Sequence, residues 1–293
     1  MWLVLTLTFV MLRYVPGGPF DDERELPGEI RIAMEAYYGD RDSLISQYGN
    51  YMGKILHGDL GPSYRQIGWS VGELLQNKMR TSFTLGACAL ILSIAIGITV
   101  GLMQAVAYGK WWDRLLSGAE VFLICMPAYV VGPILCYVFV YKFHIFPAFG
   151  WGNLRSAILP LTTLVLYYSA FIGRLTRQSM AEQRTQLYVR TAMAKGLSPW
   201  KIFKRHIFFN GIQPVIAYLG PCSAGVLSGI FVIENLFNIP GMGRLFIQAI
   251  GNRDYTVIGG ILIIYASLVV IFNLIADLLL LSIDPRISLQ REK

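Results

Sequence analysis

Charged residues are absent from long stretches of this 293-residue chain and crowd between them. Residues 81–109, 121–141, 156–173, 207–233 and 255–276 contain no Asp, Glu, Lys or Arg. A helix crossing a hydrocarbon core needs about 20 apolar residues, and these five blocks meet or approach that length. A sixth apolar block, 1–12, stops at Arg13 and covers only about 18 Å at 1.5 Å per residue. It lacks the basic leader and small-residue cleavage site of a signal peptide. It therefore reads as the end of a first span, with a basic segment and the rest of that span expected upstream.

The pattern between the blocks supplies orientation. The segment after the fourth span holds Arg174, Arg177, Arg184, Arg190, Lys195, Lys201, Lys204 and Arg205 against a single acid, Glu182. Lys110 and Arg114 follow the second span, and Arg286, Arg291 and Lys293 lie in the tail. With six spans all three regions fall on one side, which Lys and Arg in short loops mark as the cytoplasm. Both termini are then cytoplasmic. Residues 16–80, with ten acids and seven bases, fall outside. Helix formers at 29–38 and 43–56 between Gly and Pro punctuation make this an extracytoplasmic helical subdomain. The expected organisation is helix 1 at 1–15, the outer subdomain at 16–80, a membrane core at 81–283 and a tail at 284–293. Within the core, helices are expected at 81–108, 119–141, 156–173, 210–234 and 256–281, with a cytoplasmic loop at 174–209.

Composition agrees and excludes several classes. The chain is 55% hydrophobic and 15% charged, against about 25% charged in soluble domains. The net charge of +7 belongs to topology, since no basic patch is interleaved with stacking aromatics, and no nucleic-acid partner is expected. Cys88, Cys125, Cys136 and Cys222 all sit in apolar blocks without a C-x-x-C pair, so neither disulfide nor metal is expected. His57, His144 and His206 are followed by Gly, Ile and Ile, which rules out the H-E-x-x-H of a zinc protease. No Ser–His arrangement inside the spans suggests an intramembrane enzyme. An ion-coupled carrier places several ionisable residues deep in its spans, whereas only Asp277 approaches that. Gly53-Lys54 and Gly109-Lys110 are not P-loops, because Tyr48 and Gln104 stand where Gly is required, and Ile55 and Trp111 where Ser or Thr is.

The most informative polar stretch is 187–200, Leu-Tyr-Val-Arg-Thr-Ala-Met-Ala-Lys-Gly-Leu-Ser-Pro-Trp. Helix formers run to Lys195, Gly196 suits the left-handed end of a helix, and Ser198-Pro199 suits the start of another. Helix, tight break, helix is the expectation. The second helix carries Trp200, Ile202, Phe203 and Ile207 among Lys201, Lys204 and Arg205, so it is amphipathic and placed at the membrane interface. A projecting broken helix suits docking into a partner's groove, although a basic loop holding topology has the same composition.

Here the chain resembles a known family. Val189-Arg190-Thr191-Ala192-Met193-Ala194-Lys195-Gly196-Leu197 is similar to the cytoplasmic EAA loop of type I ABC-importer permeases, in the form used by their peptide and nickel branch. Met193 replaces a usual Arg, and Arg190 stands where the general motif has Glu. Pro16-Gly17-Gly18-Pro19-Phe20, Glu23-Arg24 to Leu26-Pro27, Gly58-Asp59-Leu60-Gly61-Pro62-Ser63-Tyr64, Pro240-Gly241-Met242-Gly243-Arg244-Leu245, Asn252-Arg253-Asp254-Tyr255 and Asp284-Pro285-Arg286 agree in order with the oligopeptide and dipeptide permease B family. The resemblance implies an all-α polytopic membrane protein with six transmembrane helices of the type I ABC-importer permease fold and an extracytoplasmic helical insertion after helix 1.

It further implies a non-catalytic permease subunit in the bacterial cytoplasmic (inner) membrane, forming a path for oligopeptides. Dipeptides, nickel, haem or glycosides are the alternatives within the family. Implied partners are a second homologous permease, two cytoplasmic ABC ATPase subunits, an extracytoplasmic peptide-binding protein and membrane lipid. No cofactor is expected on this chain, and ATP and Mg would be used by the ATPase subunits. Arg190, Thr191, Ala192, Ala194, Lys195, Gly196 and Leu197 would form the ATPase-coupling loop. Asn273 and Asp277, four residues apart on one helix face, suit a structural or gating hydrogen bond. Glu234, ending the fifth span, has Arg244 and Arg253 as candidate partners. Pro127, Pro133, Pro214 and Pro221 are candidate kinks.

Overall fold

The computed structural model describes residues 2–14, 28–38 and 43–283. These form eleven helices: α1 Trp2–Tyr14, α2 Gly28–Tyr38, α3 Leu44–Leu56, α4 Val71–Val106, α5 Trp111–Cys125, α6 Ala128–Lys142, α7 Leu154–Thr185, α8 Leu187–Ala194, α9 Pro199–Leu236, α10 Met242–Asn252 and α11 Tyr255–Ile283. Among the described residues the sole β-type pairing is an isolated bridge between Pro62 and Ser70. The sequence blocks at 16–20, 23–27 and 284–286, and the basic tail, lie outside the described residues.

Four helices, α4, α7, α9 and α11, are long and apolar enough to cross a membrane. The α5–α6 pair makes a fifth candidate, bent by 104° at its break. The break falls at Pro127, one of the candidate kinks inside the helix expected at 119–141. Pro127 has no N–H to continue the ladder and forces Met126 out of the helical region, to φ −90° and ψ 118°. Pro133 and Pro221 lie inside helices, as does Pro160, which the sequence reading passed over. The helix at Pro199–Leu236 also widens to π-type turns over Phe203–Phe208, shortly before Pro214. Helix α1 has 13 residues, about 20 Å at 1.5 Å each. It packs on α11, where a Cβ at Gly259 would meet the Thr8 methyl.

Helix ends differ systematically from the charge-free blocks. Helix α4 begins ten residues before the expected 81, because Ser70 and Glu73 form a reciprocal capping box: Glu73 N–H donates to Ser70 Oγ at 3.2 Å and Ser70 N–H to Glu73 Oε2 at 3.0 Å. Residues 71–80 thus continue into α4, ten residues before the expected boundary of the membrane core. Helix α7 likewise runs beyond 173 to Thr185, carrying Arg174, Arg177 and Arg184 as its continuation. Charge marks where apolar surroundings end, and a helix has no reason to stop there.

The dominant packing is α4 against α7, made possible by glycine. A Cβ on Gly97 would stand 2.7 Å from Ile172 Cβ and 2.8 Å from the Ser169 carbonyl; one on Gly101 would press on the Gly173 carbonyl and Thr176. This small-xxx-small spacing lets backbones touch where apolar surroundings give side chains little other reason to associate. Around that contact Leu85, Leu164, Ile172, Met180, Val226 and Ile230 build the main core. A second cluster, including Phe9, Leu12, Met34, Tyr37 and Tyr51, fastens α2 and α3 to α1. Burial pushes the Tyr37 and Tyr51 phenols up from their ordinary pKa, so both remain neutral O–H groups. A third cluster joins Val71 and Leu75 of α4 to α10 and α11.

Candidate coupling site

Helix α7 ends where Gln186 turns extended, at φ −67° and ψ 148°, and α8 starts at once. Helix α8 closes in a Schellman turn. Gly196 N–H donates to the Met193 carbonyl at 3.0 Å, and Leu197 N–H reaches back to the Ala192 carbonyl at 3.3 Å. Such a turn needs a left-handed residue, and Gly196 supplies it at φ +74°. Ser198 then opens α9 with extended backbone, and Pro199 takes the first turn, where its missing N–H costs nothing.

The eight residues of α8 divide cleanly. Val189 and Ala192, three apart, are buried in the main core together with Ile202 of α9. Arg190, Thr191, Met193, Ala194, Lys195 and Gly196 are exposed, and Leu197 is half-buried. Leu187, at 77% exposure, and Met193, at 53%, stand uncovered near opposite ends of α8. Among the expected coupling residues, Ala192 is thus an anchor, Leu197 packs partly against the same core, and Arg190, Thr191, Ala194, Lys195 and Gly196 are exposed.

Polar contacts hold this projection to the helices behind it. The Tyr188 hydroxyl lies against Gln183 Oε1 and 3.2 Å from the His206 carbonyl, and it accepts from the Asn210 amide at 3.1 Å. Ser179 of α7 donates to the Gly211 carbonyl of α9. Arg184 donates to the Ala105 carbonyl at the end of α4, at 2.7 Å. Arg177 grips Asp113 of α5 with two bonds, Nε to Oδ1 and Nη2 to Oδ2, the second at 2.8 Å, and lies 4.9 Å from the Tyr108 ring centroid. Asp113 also accepts from Gly109 N–H at 2.9 Å. The end of α7 is therefore bound to α4, α5 and α9 simultaneously. Sequence reasoning missed Asp113, Arg177 and Ser179 as partners, since they meet across 64 and 32 residues. The Gly97-x-x-x-Gly101 spacing was the available signal for the α4–α7 contact.

The remaining candidates are separate from this turn. Glu234 is fully buried and accepts from Ser82 Oγ, from Gly243 N–H at 2.7 Å and from Arg244 N–H at 3.4 Å. Ser82 in turn accepts from Met242 N–H at 2.8 Å. The expected pairing with the Arg244 and Arg253 side chains is thus corrected. Main-chain donors at the start of α10 do that work, and a Cβ at Gly241 would collide with the carboxylate. Arg253 instead ends α10 in a left-handed conformation, φ 55°. Asn273 turns its amide to the Val269 carbonyl at 2.8 Å, packed beside Gly220, and Asp277 is exposed. A buried clamp at the other end was also missed. Asp254 Oδ2 accepts from Ser63 Oγ at 2.7 Å, Asp254 Oδ1 accepts from Thr256 Oγ1 at 2.8 Å, and Thr256 Oγ1 accepts from Tyr64 N–H at 2.9 Å. No three His, Cys, Asp or Glu residues gather in a way that could hold a metal ion among the described residues.

Residues 97–289, which contain the α7–α8–α9 corner, match the family of binding-protein-dependent transport system inner membrane components. The chain belongs to this family. It is 37% identical over 289 residues to the oligopeptide transport system permease protein OppB of Escherichia coli (strain K12), covering 98% of this chain and 94% of that protein. It is 38% identical over 290 residues to the dipeptide transport system permease protein DppB of Bacillus subtilis (strain 168), covering 99% and 94%. Among solved structures it is similar to an amino acid ABC transporter with histidines, with a TM-score of 0.58 and 17% identity over 71% of this chain and 92% of that one. It is also similar to the inward-facing MetNI methionine ABC transporter, with a TM-score of 0.59 and 15% identity over 72% and 96%. The fold is that of the type I ABC-importer permeases. The protein is a multi-pass inner-membrane transport component, working in a complex with other ABC subunits, and not an enzyme in its own right.

Proposed function

We propose that this permease forms half of the membrane path of an ATP-driven importer of oligopeptides. The observation that carries the reading is whole-length similarity to oligopeptide and dipeptide permeases at 37% and 38% identity. In this reading the exposed face of α8, from Arg190 to Leu197, seats in a groove of a cytoplasmic ATPase subunit. A second permease completes the path, two ATPase subunits use ATP and Mg, and a peptide-binding protein delivers cargo on the outer face. Both termini lie in the cytoplasm, as the distribution of Lys and Arg supports. The projection of α8 suits this role because its anchors Val189 and Ala192 lie in the same core as α7 and α9, so a push on the turn is transmitted to two long helices. Dipeptides remain the second reading, since the dipeptide permease shares as much identity as the oligopeptide one.

The test is uptake into proteoliposomes containing the whole complex, with labelled di-, tri- and pentapeptides and an ATP-trapped interior. ATP-dependent uptake that favours the longer peptides supports the proposal. Preference for dipeptides selects the second reading, and uptake without ATP overturns both.

A further inference from the structure

The start of α9 carries a feature that the transport reading leaves unused. An open cleft of about 480 Å³ is lined by Ser198, Trp200, Lys201, Lys204, Arg205 and Phe209. Trp200 is 69% exposed, and its ring stacks on Phe203 at 5.9 Å between centroids. Lys201, Lys204 and Arg205 are all exposed, and the salt bridges of the described residues include none of them. Three cations within five residues, with no acid among the lining residues, make a site for an anion.

The position of the cleft along the helix identifies what kind of anion. The charge-free block of α9 begins at residue 207, so Phe209, 50% exposed, already belongs to the apolar stretch. Lys204 and Arg205 lie within three residues of that block, about 5 Å at 1.5 Å per residue, inside the headgroup layer of about 5–8 Å on each side of a hydrocarbon core, and Trp200, about 10 Å away, lies at its outer edge. One wall of the cleft is thus apolar and belongs to the charge-free block, while the cationic walls precede that block. Tryptophan is enriched at this boundary because its ring is amphipathic. A free phosphate ion would leave Phe209 and Trp200 unused. A molecule with an anionic head and an apolar tail matches both walls.

We propose that this cleft binds the headgroup of an anionic phospholipid, with Lys201, Lys204 and Arg205 around the phosphate, Trp200 at the outer rim of the headgroup and Phe209 against the acyl chain. The site adjoins the Schellman turn at Gly196, so an occupied cleft would hold the root of α9 at a fixed depth while α8 projects from it.

The experiment uses the full chain purified in detergent and native mass spectrometry with three probes: phosphatidylglycerol, phosphatidylcholine and inorganic phosphate. Retention of phosphatidylglycerol over phosphatidylcholine is expected. The triple variant Lys201→Gln, Lys204→Gln, Arg205→Gln should lose that preference by about tenfold or more, since each basic residue near an anionic surface contributes on the order of a fivefold factor. Trp200→Ser should lower retention of phosphatidylglycerol while leaving any weak phosphate binding unchanged. Lys110→Gln with Arg114→Gln, which removes charge outside the cleft, should change nothing, and unchanged thermal unfolding shows that each variant is folded. Three results overturn the proposal. The triple variant could retain phosphatidylglycerol like the parent, the Lys110/Arg114 pair could lose it equally, or inorganic phosphate could displace it at equal concentration. Loss of ATPase co-purification in the triple variant with lipid retention intact would assign the cleft to the ATPase instead.

Discussion

Replacing Gly196 isolates the contribution of one backbone angle. The residue sits at φ +74°, and a Cβ built there meets nothing within 4 Å. Any penalty therefore comes from the backbone alone and not from crowding. Left-handed backbone costs L-residues about 1–2 kcal/mol, and β-branched side chains pay most because their Cβ substituents crowd the following carbonyl. For Gly196→Val this is enough to open the Schellman turn in a large fraction of molecules, because 1–2 kcal/mol is a factor of about 5–30 in an equilibrium constant. Gly196→Asn is the matched control, since Asn visits this region with its short polar side chain. In proteoliposomes holding the whole complex, Gly196→Val should reduce peptide-stimulated ATP hydrolysis and uptake by about fivefold or more on this estimate. Membrane insertion should be normal, because the apolar helices are untouched. Gly196→Asn should transport at close to the parental rate. Normal transport by Gly196→Val would show that the turn does not couple to an ATPase. Equal damage from Val and Asn would show that the cost is loss of glycine's openness to a partner surface and not backbone strain.

Other substitutions probe the supports. Gly101→Leu should prevent α4 and α7 from closing and abolish recovery of folded protein on size-exclusion chromatography, whereas Gly118→Leu, whose Cβ position is open, should be recovered normally. Glu234→Leu leaves the buried Ser82 hydroxyl and the N–H groups of Gly243 and Arg244 without their acceptor, at about 1–3 kcal/mol for each unsatisfied group; a drop in thermal unfolding temperature clearly larger than for Arg244→Gln is expected, because Arg244 contributes only its main chain. Asp113→Asn should weaken the hold on Arg177, and a double-mutant cycle with Arg177→Gln should return a coupling of about 1.5–3 kcal/mol, the range for a charged hydrogen bond; a coupling near zero refutes the clamp. Asp254→Ala should release the 58–66 segment and speed proteolysis there, with α8 accessibility unchanged.

The charge-free blocks were legible because hydrocarbon excludes charge: four of the five fall within a long helix or the bent α5–α6 pair, and the block at 81–109 runs three residues past the end of α4. The helix ends were not, because water and headgroups tolerate a helix as readily as a loop, so α4 and α7 continue for many charged residues past the apolar edge. The start of α4 was nonetheless available in Ser70-Val71-Gly72-Glu73, a capping-box sequence whose meaning is local. The Gly196 turn was readable for the same reason: a left-handed glycine, an N-cap position and a proline at the next helical start are decided within a few residues. Glu234 was flagged by its oddity, yet its partners were misassigned. Charge suggested arginines, while the fold delivered peptide N–H groups and Ser82 from another helix. Asp113–Arg177 and Ser63–Asp254 depend on which distant segments meet, and nothing local in either segment announces the other.

The glycine contact between α4 and α7 also has a mechanical side. Two backbones in van der Waals touch cannot slide past each other without lifting Ile172 or Thr176 over a ridge, so the pair moves as one beam. Helix α7 has 32 residues, about 48 Å at 1.5 Å per residue, and one degree of tilt about one end displaces the other by roughly 0.8 Å at that length. A load applied at α8 is therefore borne by a stiff double lever, and the compliance has to lie elsewhere. Straight α-helix is interrupted elsewhere, at the 104° elbow at Met126–Pro127 and at the π-type turns at Phe203–Phe208.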